Sequence, residues 1–403
     1  MSVTPSFDNA IRFAQDLIRI PGLSGREGDV ARRVVEEMEA LGYRDVRTDR
    51  AGNAIGVIPG TGGGPTILLN CHMDVVAAGD PGEWEVAPFD GVMADGVLHG
   101  RGAMDIKGPL ALQTHAAALL AGQASGDVVV AHTVYEERGG LGMKVLLEDG
   151  EVAPDGVVIG ESTHGDICVG HRGRAEVEVV LEGMAGHASA PERARNALLL
   201  LPPVLEALDA ISRDQPSDPV LGAASMAPTM VDVLPESRNV IPDRVVVTLD
   251  WRILPGTTRE ALVDRVRIAL EAALEGRVPE GMGWSVRMGS EHQECYTGLA
   301  EEKALLTPGF LVEPEHPVIR AAAEAVGRRH GTGPATVRPW TFATDGGWSC
   351  GVHGIPTLGF APGEERFAHT NREQLDLDEA RWAFERYPAL IQAMQGALAG
   401  VTE

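Results

Sequence analysis

Three hydrophobic runs in this chain stop on acidic or imidazole side chains, and that placement constrains the fold more than any other feature. His72 and Asp74 follow Thr66-Ile-Leu-Leu-Asn-Cys71, Glu136 and Glu137 follow Val128-Val-Val-Ala-His-Thr-Val-Tyr135, and Glu161 follows Val157-Val-Ile-Gly160. Short apolar runs of this kind read as strands buried on both faces, which belong to parallel sheets covered by helices. In open α/β sheets ligands bind beyond the carboxyl edges of the strands. Side chains far apart in sequence but alike in this placement would therefore line one crevice. Carboxylates and imidazole converging there make a site for cations.

The flanking pattern agrees with an α/β chain. Phe7 to Ile20 carries apolar residues at helical spacing and stops at Pro21. Ser24-Gly-Arg-Glu27 reads as a capping box opening a second helix, with Val30, Val34, Met38 and Leu41 on one face and Gly42 ending it. Helix is expected over 105–121, around 142–148, over 315–330 and over 376–395, and strand over 127–135, 156–160 and 356–360. The glycine run Pro59-Gly-Thr-Gly-Gly-Gly-Pro65 lacks the spacing and the Lys-Ser/Thr ending of a phosphate loop and reads as a turn.

From about Glu176 the character changes. Glu176–Glu182 and Arg244–Arg252 alternate like half-exposed strands, 192–213 and 258–275 read as helices, and 283–288 reads as strand. That block predicts an antiparallel sheet with helices on one face. At 403 residues the chain exceeds what one compact core usually holds. The expectation is a discontinuous α/β domain, 1–175 and 292–403, with mostly parallel sheet covered by helices, and an inserted α+β second domain at 176–291.

Composition narrows the partners. A formal net charge of -24 repels phosphate backbones and anionic lipid heads, so nucleic acid is not an expected partner. No run approaches the roughly 18 to 20 apolar residues a membrane span needs. The first residues lack the basic cluster and apolar stretch of a secretory signal, so the cytoplasm is the expected location. Four cysteines, Cys71, Cys168, Cys295 and Cys350, occur without CxxC spacing, which fits reduced thiols rather than a thiolate zinc site. Any zinc would take oxygen and nitrogen ligands.

The candidate ligands are His72, Asp105, Glu137, Glu161 and His369. Asp105 lies in His99-Gly-Arg-Gly-Ala-Met-Asp-Ile-Lys-Gly108, loosened by glycine on both sides, and is the natural bridge. Two ions about 3.5 to 4 Å apart can share a carboxylate and a hydroxide, so five ligands suffice for two metals.

Seven motifs in order then resemble one family: the co-catalytic zinc enzymes that include aminoacylase, acetylornithine deacetylase, succinyl-diaminopimelate desuccinylase and carboxypeptidase G. They are Cys71-His-Met-Asp74, Gly100-Arg-Gly-Ala-Met-Asp-Ile-Lys-Gly108, Glu136-Glu137, Gly160-Glu161, Gly186-His-Ala-Ser189, Arg238-Asn-Val-Ile-Pro242 and Ala368-His-Thr370, and they span nearly the full length.

The resemblance makes the first domain the catalytic metal-binding domain and the insert a lid or dimerisation domain, and implies two Zn²⁺, with Co²⁺ or Mn²⁺ able to substitute. One ion takes His72, Asp105 and Glu161, and the other takes Asp105, Glu137 and His369. It further implies a cis peptide at Asp105–Ile106, Glu136 as general base, Asp74 as the group holding the His72 ring, and His187 as the oxyanion stabiliser, supplied across a homodimer in dimeric members. Asn239 and Arg252 match residues that grip the substrate carboxylate. Glu161, rather than Asp, tilts the expectation toward cleavage of an amide on a small N-acyl amino acid. A dipeptidase or carboxypeptidase, or a hydrolase of another C–N bond such as a carbamoyl or aryl amine, remains open. The stretch Arg338-Pro-Trp-Thr-Phe-Ala-Thr-Asp-Gly-Gly-Trp348 departs from the substrate-loop pattern, and Trp340, Phe342 and Trp348 either line an apolar pocket or pack.

Overall fold

A computed structural model of the chain describes residues 2–400. They form two compact units. The first runs to His171 and includes Gln293–Glu301 and the chain from Phe310 onward; the second holds Arg172–His292 and Glu302–Gly309.

In chain order the first unit contributes strands β1 (Arg44–Thr48), β2 (Ala54–Ile58), β3 (Gly64–His72), β4 (Gly126–Thr133), β5 (Gly156–Ile159) and β6 (Ile167–Cys168). The second unit contributes β7 (Gly173–Glu182), β8 (Ser225–Leu234), β9 (Arg244–Ile253) and β10 (Gly283–Met288), and the first unit resumes with β11 (Val337–Arg338) and β12 (Thr357–Gly359).

The first unit's sheet has eight strands in the order β1-β2-β4-β3-β5-β12-β6-β11. Its centre, β4-β3-β5-β12, is parallel, while β1, β2 and the β12–β6 pair supply the antiparallel edges. Residues 67–72 of β3 are all buried, because strands lie on both sides of it and helices cover the sheet. Every residue of helix Lys107–Ala118 is buried too. Its small side chains let it lie between β3 and the helices Phe7–Ile18 and Leu377–Ala399. A Cβ on Gly108 would stand 2.1 Å from the carbonyl oxygen of Ala103, so only glycine lets the loop before this helix fold back on it. That loop carries Asp105.

Helix Gly28–Leu41 ends at Gly42 in the left-handed conformation, as its sequence predicts. Its start differs from the expected capping box. Glu27 occupies the N-cap without a side-chain cap bond. Its Oε1 accepts from the backbone N–H of Gly25 (3.0 Å) and Tyr135 (3.2 Å), while Ser24 Oγ donates to Asp74 Oδ2 (2.7 Å). Both side chains are drawn toward the strand ends instead of the helix.

The second unit's sheet runs β8-β9-β7-β10, all antiparallel, with Leu306–Thr307 added to the start of β7. Val177, Val179, Leu181, Val245, Val247 and Leu249 alternate onto one face and pack against Val204, Leu208, Leu262, Val266 and Leu270 of two helices. This is the predicted antiparallel sheet with helices on one side.

The helix expected over 192–213 begins only at Leu201, with Pro202 and Pro203 in its first turn. Proline fits there because the first N–H groups of a helix have no partner within it. Two short turns, Pro191–Arg193 and Ala197–Leu200, precede it. Residues 302–309, assigned to the first domain from sequence, group with the second unit because they pair with β7. The edge strand β8 has no counterpart in the sequence reading. Its residues are mostly exposed on both faces, so the alternation that would betray it is missing. Among the described residues no helix is long and apolar enough to cross a membrane.

Candidate metal centre

The strand ends of the first unit deliver their side chains to one cavity of about 190 Å³, lined by His72, Asp105, Glu136, Glu137, Glu161, Ser162, Phe342, Ala343, Ala368 and His369. His72 is the last residue of β3, Glu161 lies two residues beyond β5, and the Glu136-Glu137 pair follows the end of β4. Alternation along a strand would send adjacent glutamates to opposite faces. Here β4 stops at Thr133, and Tyr135 adopts φ 57°, so the chain turns before the pair.

The turn is held by two buried carboxylates acting on consecutive amides: Glu27 accepts from Tyr135 N–H, and Asp74 accepts from Glu136 N–H (3.1 Å) and Glu137 N–H (3.3 Å). Sequence reasoning missed Glu27 in this role. Tyr135 lies more than a hundred positions away, and no local pattern points to it.

Two groups of donors result, His72 with Asp105 and Glu161, and Asp105 with Glu137 and His369. Asp105 belongs to both. His72 Nε2 is 3.2 Å from Asp105 Oδ1 and 3.2 Å from Glu161 Oε1. His369 Nε2 is 3.3 Å from Asp105 Oδ2 and 3.1 Å from Glu137 Oε2. Ligand atoms bound at about 2.0 to 2.1 Å to a tetrahedral ion stand roughly 3.3 to 3.4 Å apart, so these separations suit cations between the groups. The Asp105–Ile106 peptide is cis.

His72 Nδ1 meets the backbone carbonyl of Asp74 at 2.8 Å, while the Asp74 carboxylate is 3.6 Å away. The ring is thus oriented by the main chain, which leaves Nε2 facing the carboxylates. The expected carboxylate-to-ring bond is replaced because Asp74 is committed to Ser24 and the 136–137 amides.

Charge gives the strongest argument for cations. Four carboxylates line the cavity and no Lys or Arg does. Burial, then the neighbouring negative charges, pushes Glu136 well above the usual carboxylate range and raises Glu137. Glu161 is pushed up to about 7, burial outweighing its bond to His72. For His72 burial favours the neutral ring, but Asp105 and Glu161 together raise it well above its ordinary value. Bonds to Asp105 and Glu137 lift His369 to about 10. Burial opposes ionisation of Asp105, yet the two imidazoles hold its carboxyl below the ordinary range. Such a set holds protons unless divalent cations replace them.

Residues 68–393 match the model of peptidase family M20/M25/M40. The chain belongs to this family. Relatives include an uncharacterised Escherichia coli (strain K12) protein, YgeY, 32% identical over 90% of this chain and 89% of that one. A succinyl-diaminopimelate desuccinylase of Gluconacetobacter diazotrophicus is 34% identical over 66% of this chain and 73% of its own length. Among solved structures, a dinuclear metal-binding M20 peptidase, the YXEP protein of Bacillus subtilis, superposes with a TM-score of 0.69 at 18% identity, covering 96% of this chain and 98% of that one. That likeness shows the fold. The family membership makes this chain a metal-dependent hydrolase.

The remaining candidates fall elsewhere. His187, Asn239 and Arg252 belong to the second unit. Gly186–His187 pairs with Val240–Ile241, and Ala188 N–H donates to Asn239 O at 3.0 Å, so His187 and Asn239 are neighbours. His187 is exposed, its Nδ1 taken by Ser189 Oγ (2.7 Å). Arg252 lies near the far end of β9 and pairs with Asp250 (2.9 Å). Of the three aromatic residues in the departing stretch, only Phe342 lines the cavity. Trp340 is buried with Nε1 on Ser162 O (2.9 Å), and Trp348 Nε1 donates to Gly139 O (3.0 Å).

Proposed function

We propose that this M20 hydrolase cleaves the amide bond of a small N-acyl amino acid at a centre of two divalent cations. The observation that supports it most is the double use of Asp105, each oxygen facing a different imidazole. His72, Asp105 and Glu161 would hold one ion, and Asp105, Glu137 and His369 the other. The oxygen and nitrogen donors suit Zn²⁺, with Co²⁺ or Mn²⁺ able to replace it. When bound, the pair supplies Lewis acidity and a water acidic enough to attack at neutral pH.

Glu136 belongs to neither donor group and faces the same cavity, with Oε2 3.9 Å from His72 Nε2. It takes the proton of the attacking water and returns it to the leaving amine. Beyond the carboxylates and the two histidines the wall is Ser162, Phe342, Ala343 and Ala368, with no Lys or Arg to pair a charged acyl group. An uncharged acyl group such as acetyl fits this wall better than succinyl.

Arg252 is eight residues along β9 from Arg244, roughly 27 Å at about 3.4 Å per residue. Asn239 and His187 lie beyond the Arg244 end. The His187–Asn239 pair and Arg252 of one chain therefore cannot close together on one small substrate. We propose that a second copy supplies His187 and Asn239, with the exposed edge strand β8 and its Met230, Val231 and Leu234 as the surface between copies.

Glu136→Gln is expected to keep its metals and lose about 10² to 10⁴ in kcat; full activity removes Glu136 from its role. A panel of N-acetyl and N-succinyl amino acids against dipeptides separates deacylase from peptidase. Mixing His187→Ala chains with Glu136→Gln chains is expected to restore part of the activity, and no restoration argues for a site completed within one chain.

A further inference from the structure

Glu373 is buried to 1% exposure, lies just past His369 in the chain, and belongs to neither donor group. Its Oε1 accepts three backbone N–H groups, from Gly102 (2.8 Å), Met104 (3.1 Å) and Asp105 (3.1 Å). Its Oε2 takes Nη1 of Arg101 at 2.5 Å, and Arg101 is itself buried. The main chain continues the same link. Gly100 N–H donates to Glu373 O at 3.3 Å, and Gln374–Asp376 pairs with Val97–His99. Every one of these contacts runs from the segment after His369 to the segment carrying Asp105.

His369 needs such a tie. Its side chain is 54% exposed, its backbone holds φ 58°, and its ring pairs with Asp105 and Glu137. Asp105 in turn sits in a loop whose amides at 102, 104 and 105 would be buried donors without an acceptor if Glu373 were absent. A single carboxylate thus satisfies the loop and fixes its distance from the histidine.

We infer that Glu373 is a positioning residue that sets Asp105 against His369, and so the donor geometry of the more exposed ion site. This rests on the two-metal reading above. Loss of a group that orients metal ligands typically weakens metal binding about 10- to 100-fold.

The test measures zinc and cobalt affinities of the full chain by chelator competition, with the cobalt absorption spectrum as a second readout. Parent protein is expected to bind two ions. Glu373→Gln, whose single amide oxygen cannot serve both the loop amides and Arg101 and carries no charge, is expected to bind one ion normally and the other about 10- to 100-fold more weakly, with an altered cobalt spectrum. Glu37→Gln perturbs a part-buried pair with Arg33 elsewhere in the first unit, and is expected to lower thermal stability while leaving both affinities unchanged. Where Glu373→Gln does not fold, Arg101→Met gives the answer in its place, with the same selective loss expected. Parental affinities in the folded variant overturn the inference, and so does an equal loss in Glu37→Gln. A parent protein that binds no ion sinks the two-metal reading itself.

Discussion

The two halves of the candidate centre are built differently. In one, His72, Asp105 and Glu161 are all buried, and two of them stand at the ends of central parallel strands with the ring oriented by a main-chain carbonyl. In the other, Glu137 sits after a turn and His369 on an exposed loop, each placed by bonds from other segments. A strand end in a parallel sheet is rigid because its neighbours on both sides are hydrogen-bonded. A loop residue is only as fixed as its contacts. The difference separates a half that anchors from a half open to solvent.

The sharpest way to break this contrast is at the shared residue. Asp105→Ala is expected to lose both ions and roughly 10³-fold or more in turnover, since the metals supply several kcal/mol of charge stabilisation. Retention of one ion at parental affinity would show that the halves do not share it.

Next comes a pair of variants compared without metal. His72→Ala leaves Asp105 and Glu161 buried without their imidazole and is expected to cost about 3 kcal/mol of stability. His369→Ala removes a half-exposed ring, screened by solvent, and is expected to change stability by less than about 1 kcal/mol. Chemical denaturation in the presence of a chelator measures both, and equal costs would erase the distinction between the halves.

An effect smaller than the His72→Ala loss lies beneath the anchored half. His132, in register with Cys71 on the neighbouring strand, is fully buried, and burial pushes it down to about 3. The unfolded chain takes up a proton near pH 6.5 and the folded chain does not, so stability falls as pH drops from about 6.5 toward 3. Between pH 7 and 5 the expected loss is about 1 to 2 kcal/mol, less in His132→Gln. An identical pH slope in the variant would mean that His132 does not stay neutral.

The parts legible in sequence are those whose cause is local. Apolar runs ending on His72, Glu136-Glu137 and Glu161 announce both the parallel sheet and the side chains at its edge, and Gly42 ends its helix for conformational reasons alone. Asp105 and His369 were legible through motifs rather than through periodicity. Glu27, Asp74 and Glu373 were not legible in their observed roles. Each is a carboxylate that accepts from at least one backbone amide of a distant segment, and a backbone amide leaves no mark in the residue alphabet. The same blindness hid strand β8, which lacks a buried face, and the distance between Asn239 and Arg252, thirteen positions apart in sequence but at opposite ends of a sheet.

By itself, then, the sequence determined which strands are buried, where they end and which donor atoms stand at those ends, because periodicity and residue chemistry act over a few neighbours. Only the tertiary structure decided how far apart those donors stand, which carboxylates orient instead of ligate, and which of three aromatic side chains reaches the cavity. Those outcomes depend on hydrogen bonds and packing between segments hundreds of residues apart, and they exist only once the sheet has closed.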